Sequence, residues 1–339
     1  MKQRTATARV AVMFALLVFA FGAALVLNVN TGSLSIAPGR IFKIILHGGT
    51  DGTPAGNVIW KIRLPRLLAA AVLGGALSVS GFLLQTFFRN PIAGPYVLGI
   101  SSGAKMLVGI AMIFLLRRLS GVPFWVMMAA AFLGSMLVTG FVLLFARRVK
   151  SMSALLVIGI MIGSVCTAVT DFFITFADEA NVANLHAWSM GSFSAISWKS
   201  LHIASAVIFV AVIGAFLLSK PIAAYRLGEN YARSMGVPVR LVHTVIILTT
   251  CLLAGVSTAF TGPIAFIGIA VPHIVRGLVN SSDHRIVLPA SLLFGATLLL
   301  VCDIVSCIPQ YSLPINSMCA VVGAPIIIWV IFKNKKIQQ

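Results

Sequence analysis

Acidic side chains are almost missing from this chain: Asp51, Asp171, Asp178, Glu179, Glu229, Asp283 and Asp303 are the full set. Charged residues of both signs make up only 9% of the sequence, against roughly 25% in an ordinary soluble domain. So few charges cannot cover a water-facing surface, which excludes a water-soluble enzyme. Cysteine is also scarce. Cys166, Cys251, Cys302, Cys307 and Cys319 all fall in apolar runs without a CxxC spacing, so they read as small buried hydrophobes rather than disulfide partners or metal ligands. No metal site or cofactor is expected.

Other absences bear on energy and chemistry. The stretch GISSGAKM (99–106) has neither the spacing nor the final Ser or Thr of a phosphate loop, so the chain carries no nucleotide motor. Carboxylates in apolar segments are limited to Asp303 and, at a segment end, Asp171. A proton- or sodium-coupled carrier usually holds more buried ionisable groups. An intramembrane enzyme needs a nucleophile or metal constellation such as HExxH or GxSxG inside the spans, and none is expected here.

Apolar residues, by contrast, make up 59% of the chain and the mean hydropathy is +1.04. A helix needs about 20 apolar residues to cross a hydrocarbon core, and such runs follow one another almost end to end. They are continuous rather than alternating, which excludes an outer-membrane barrel. Ten segments are expected, at about 10–29, 64–87, 101–116, 122–145, 153–176, 200–218, 241–260, 262–278, 286–308 and 315–332. The first is too long for a signal-peptide core and lacks a small-x-small cleavage site, so it reads as a retained span. Pro91, Gly94 and Pro95 predict a turn or re-entrant piece after segment two. The expected fold is thus all-α: a polytopic membrane protein of about ten transmembrane helices, forming one domain over residues 1–339 with a polar insert at about 220–240.

The 25 lysines and arginines give a net charge of +18, which in a soluble protein would suggest nucleic acid. Placed along ten spans with both termini cytoplasmic, the basic residues favour the inside by roughly two to one, as the positive-inside rule requires. Most of the charge is therefore a topology signal, and no nucleic-acid partner is expected. Lys105 is left within a span. It either snorkels to the interface or faces a transport path and attracts an anionic cargo.

Several long motifs now line up in order: RLPRLLAAAVLGGALSVSG (63–81), QTFFRNPIAGPYVLGISSGA (85–104), WSMGSFSAISW (188–198), LGENYARSMGV (227–237), GPIAFIGIAVPHIVR (262–276), DHRIVLPAS (283–291) and LPINSMCAVVGAPIIIWVI (313–331). Across about residues 8–335 the chain resembles the FecCD family, the membrane permeases of ABC importers for iron chelates, haem and cobalamin. The resemblance implies a dimer with a second permease copy, homologous or identical, and two cytoplasmic ABC ATPase subunits. A substrate-binding protein docks outside, and the bilayer is that of a bacterial cytoplasmic membrane.

The resemblance also implies site residues. RLPR places Arg63 and Arg66 where the family's arginines meet glutamates of the binding protein; the alternative is that they anchor a helix end. The family's further arginine, after the aspartate of CDIVSC, is replaced here by Cys307. Met152 and Ser153 match the cytoplasmic gate of the path, or simply begin a helix capped by Ser151. The insert matches the ATPase-coupling region, giving that role to Leu227, Gly228, Glu229, Ala232, Arg233 and Gly236. Its apolar and small residues are expected to seat in an ATPase groove, although Glu229 and Arg233, at i and i+4, also suit plain helix support. His273, beside Pro272, is expected to bond backbone groups freed by a helix kink. Glycines 74, 75, 81, 99 and 103 are expected to allow close helix packing. The expected function is import of a ferric siderophore, with haem or cobalamin as alternatives and a secondary carrier or channel as the rival class.

Overall fold

A computed structural model describes residues 2–32, 34, 36–49, 52–116, 124–146, 148–149, 151–226, 228–279, 281, 283–307 and 313–335. They form helices and connecting turns, with no strand among the described residues. In chain order these are α1 (Lys2–Asn30), α2 (Pro38–Leu46), α3 (Pro54–Asn57), α4 (Leu64–Phe88), α5 (Ile100–Leu116), α6 (Phe124–Ala146), α7 (Met152–Ile174), α8 (Glu179–Ser189), α9 (Trp198–Leu217), α10 (Ser219–Arg226), α11 (Glu229–Ser234), α12 (Val239–Thr261), α13 (Ile267–Val279), α14 (His284–Cys307) and α15 (Ile315–Lys335).

Among the described residues, seven helices are long and apolar enough to cross a membrane, and α5, α13 and α15 supply three shorter apolar helices. Each of the ten expected segments falls on one of these. The differences lie at their ends. A π-helical turn, Val58–Arg63, joins α3 to α4, so the second span begins well before Leu64. The eighth helix starts at Ile267 rather than Gly262, because Gly262 takes φ 76° and Pro263 follows it, which closes α12.

Helix α4 is the centre of the molecule. Its apolar window is 83% buried, whereas that of α1 is 17% buried, so α4 is wrapped by protein and α1 is left to lipid. Helices α14, α12, α13 and α9 pack around α4, while α5 packs against α6 and α7. In lipid no hydrophobic force drives helices together, and close backbone approach takes its place. A Cβ on Gly81 of α4 would run into the Gly268 carbonyl of α13, and one on Gly74 would meet Gly295 of α14. Gly75, Gly99 and Gly103 likewise lie against neighbouring helices, as expected of them.

Two stretches of irregular backbone are buried, a placement that membrane proteins tolerate only where protein covers it. One spans residues 89–99: Arg89 takes a left-handed φ of 49°, and Ala93, Gly94 and Pro95 are buried. This is the turn announced by its prolines and glycine. The other spans residues 262–266, where Asn316 on α15 accepts the Ala265 N–H at 3.0 Å. The five cysteines are unpaired thiols, four of them buried.

Candidate functional site

Three separate places receive the residues singled out in the sequence. The first joins α1, α4 and α14 around Asp303, which is 1% exposed. Arg66 donates to it from two guanidinium nitrogens, Nη2 at 2.8 Å and Nε at 3.0 Å. Asn28 Nδ2 donates to the other carboxylate oxygen at 3.0 Å. Arg66 Nη2 also lies 3.4 Å from the Ser306 hydroxyl. A buried charge is tolerable when it is paired and its remaining lone pairs are bonded, and this cluster meets that condition.

Arg63 is only 7% exposed. It donates to the Val29 carbonyl at 2.9 Å and to the Leu34 carbonyl, with Gly32 against its guanidinium. Arg63 is turned inward, where it fixes the 29–34 segment, and Arg66 is held by Asp303 with 20% of its side chain exposed. Charges near a span end gain more from internal partners than from lipid headgroups alone.

The second place is the start of α7. Ser151 caps it, its side chain accepting the Ala154 N–H at 3.3 Å. Met152 is half-buried and Ser153 exposed. Lys105, partly exposed on α5, has no hydrogen bond or ion pair among the described residues.

The third place is the insert. Helices α10 and α11 meet at Gly228, whose φ is 131°, a backbone conformation that only glycine adopts at no cost. Gly236 closes α11 at φ 78°. Ala224, Tyr225, Ala232 and Val239 form a small apolar cluster of their own. Ala232 is fully buried in it, where its methyl joins the two short helices. The exposed face carries Arg233 with Tyr231 at 49% and Met235 at 60% exposure. Tyr231 and Met235 were missed, although their i, i+4 spacing within YARSM places them on one side of the short helix. Leu227 and the side chain of Glu229 lie outside the described residues.

Two sequence features gain detail. At the Pro272 kink, Gln85 of α4 donates to the Ile269 carbonyl at 2.9 Å and reaches Gly268 at 3.5 Å. Gln85 thus bonds backbone acceptors at the Pro272 kink, beside His273. The run GISSG (99–103) has the G-x-S-x-G spacing of a hydrolase nucleophile turn. Here its glycines are contact points with Gly163 of α7 and Gly134 of α6, and Ser101 is buried beside them.

Comparison with known proteins agrees with this architecture. The sequence profile of the FecCD transport family matches residues 16–333. The vitamin B12 import system permease protein BtuC of Escherichia coli O9:H4 (strain HS) is 37% identical over 316 residues, covering 92% of each chain. BtuC of Escherichia coli strain K12 / DH10B is also 37% identical, over 313 residues and 91% of each chain. Among solved structures, an inward-facing chain described as of the metal-chelate ABC transporter type superposes with a TM-score of 0.83 and 26% identity. That match covers 95% of this chain and 99% of the other. PsaBC from Streptococcus pneumoniae, solved with a Fab, shares the fold at a TM-score of 0.51 and 16% identity, over 86% of this chain and 95% of the other. With a profile match over nearly its whole length and relatives at this identity, the chain belongs to the FecCD transport family.

Proposed function

We propose that this chain forms half of the membrane path of an importer that moves a metal chelate inward, with the energy supplied by ATPase subunits bound at the 220–240 insert. The insert carries this reading. It is a pair of short helices held by its own apolar cluster, and it turns Tyr231, Arg233 and Met235 outward. Large apolar and Arg side chains are the usual anchors of a docked partner. A secondary carrier is disfavoured because Asp303, the buried carboxylate among the described residues, is already paired with Arg66 and is not available to cycle a proton.

On this reading the chain sits in a bacterial cytoplasmic membrane with both termini and the insert on the ATPase side. Met152 and Ser153 stand at the gate where α7 meets a second permease copy, homologous or identical. The binding protein docks on the opposite face at the rim formed by Arg63 and Arg66. Arg66 supplies the reachable charge, and Arg63 holds the segment beside it. Opposite charges there set register and encounter rate more than affinity. A corrinoid stands first as cargo because the relatives at 37% identity are named for vitamin B12 import. A ferric siderophore, first on sequence grounds, and haem come next.

The test is affinity purification of the full-length chain from its native membrane. The expected result is an ATPase with a phosphate loop in the complex, and its loss from a Tyr231→Glu, Met235→Glu variant that keeps its thermal unfolding. An unchanged ATPase content would remove the insert from this role. Mass spectrometry of the cargo on the captured binding protein separates corrinoid from siderophore.

A further inference from the structure

A cavity of about 280 Å³ opens between the ends of α4 and α13. Its lining includes Phe82, Gln85, Arg89, Asn90, His273 and Arg276, with no carboxylate among the described lining residues. We propose that this cavity binds a phosphate group, carried either by an anionic phospholipid or by free phosphate.

Three observations support it. First, two guanidiniums and an imidazole share one small space. Like charges facing a common cavity repel, and an anion between them turns that repulsion into attraction. Second, both arginines are oriented by contacts at the cavity wall. Arg89 donates to the Tyr225 carbonyl at 2.9 Å and lies 5.0 Å from its ring centroid. Arg276 donates to Gln85 Oε1 at 3.0 Å and lies 5.2 Å from the Phe82 ring. Planar guanidinium forks of this kind match phosphate oxygens. Third, the place and size fit. The cavity lies near the C-terminal ends of two apolar helices, and basic pockets between membrane helices take lipid phosphates. Its volume is just under the roughly 300 Å³ at which drug-sized pockets begin, so it suits a small group.

Arginines at helix C-termini also complement the negative end of the helix dipole. That accounts for a positive charge at each end, but not for a cavity left open between the two. The site adjoins the insert, because Tyr225, held by Arg89, belongs to the α10–α11 cluster. Occupancy of the cavity therefore bears on how firmly the insert is held.

The test uses the purified full-length chain. Binding of radiolabelled inorganic phosphate is measured by equilibrium dialysis against chloride. Retention of phosphatidylglycerol is measured by native mass spectrometry after incorporation into phosphatidylcholine vesicles with and without that lipid. Saturable binding of either probe supports the proposal, and the arm that responds identifies the source. The Arg89→Gln, Arg276→Gln variant should lose about tenfold or more in affinity, and Arg89→Lys, Arg276→Lys should keep most of it. If the glutamine variant unfolds, Asn90→Asp replaces it. The Asn90 side-chain oxygen accepts the Ile92 N–H at 3.1 Å, a bond that aspartate preserves while adding a repelling charge, so binding should fall with thermal unfolding unchanged. No binding of either probe, or equal binding by wild type and the folded variant, overturns the proposal.

Discussion

Asp303 holds three elements together through a single carboxylate, and its partners are 237 and 275 residues away in sequence. Removing it strands the Arg66 guanidinium beside a span end with nothing to neutralise it. Asp303→Ala should cost about 3 kcal/mol or more, because breaking one side of a buried pair leaves an uncompensated charge. The Arg66→Met, Asp303→Leu double variant should regain most of that loss. Denaturant titration in detergent micelles reads both, and an unstable double variant would contradict the account. The RLPR run drew attention to both arginines, yet their inward geometry was not legible. A motif fixes residue type and spacing along one helix. It is silent on a carboxylate that arrives from the far end of the chain.

The helices themselves were far more legible, because each long apolar run has one stable form in lipid: a helix that satisfies its own backbone. Pro91, Gly94 and Pro95 marked the re-entrant turn for the same reason, as they cannot continue a helix. The short helices α2, α3 and α8 and the π-helical turn were not visible, since their form depends on what they pack against. Contact geometry gives a sharp prediction at this scale. Gly81→Leu should abolish stable folding or cost about 3 kcal/mol or more, because the new side chain meets the Gly268 carbonyl with no flexible group to yield. Gly140→Leu on α6 has nothing within 4 Å of its new Cβ and should leave folding unchanged. Fluorescence size-exclusion profiles and melting temperatures compare the two. Equal behaviour would mean that α4 and α13 do not pack this closely.

At the scale of the whole molecule, the scarcity of acids takes on a definite sense. The buried carboxylate among the described residues is tied up in holding α1, α4 and α14 together, and Asp171, near the end of α7, is the other acid in a described span. The excess of base is distributed among the membrane faces, the Asp303 cluster and the cavity beside the insert. A chain built in this way supplies a path and docking surfaces, and its driving force must come from a partner. Reconstitution into liposomes tests this most directly. Radiolabelled cyanocobalamin uptake, with a ferric siderophore in a parallel arm, is followed for the full-length chain alone and together with its ATPase and binding protein. The account predicts ATP-dependent accumulation only in the complete assembly, and none with the chain alone under a proton or sodium gradient. Uptake by the chain alone would contradict it.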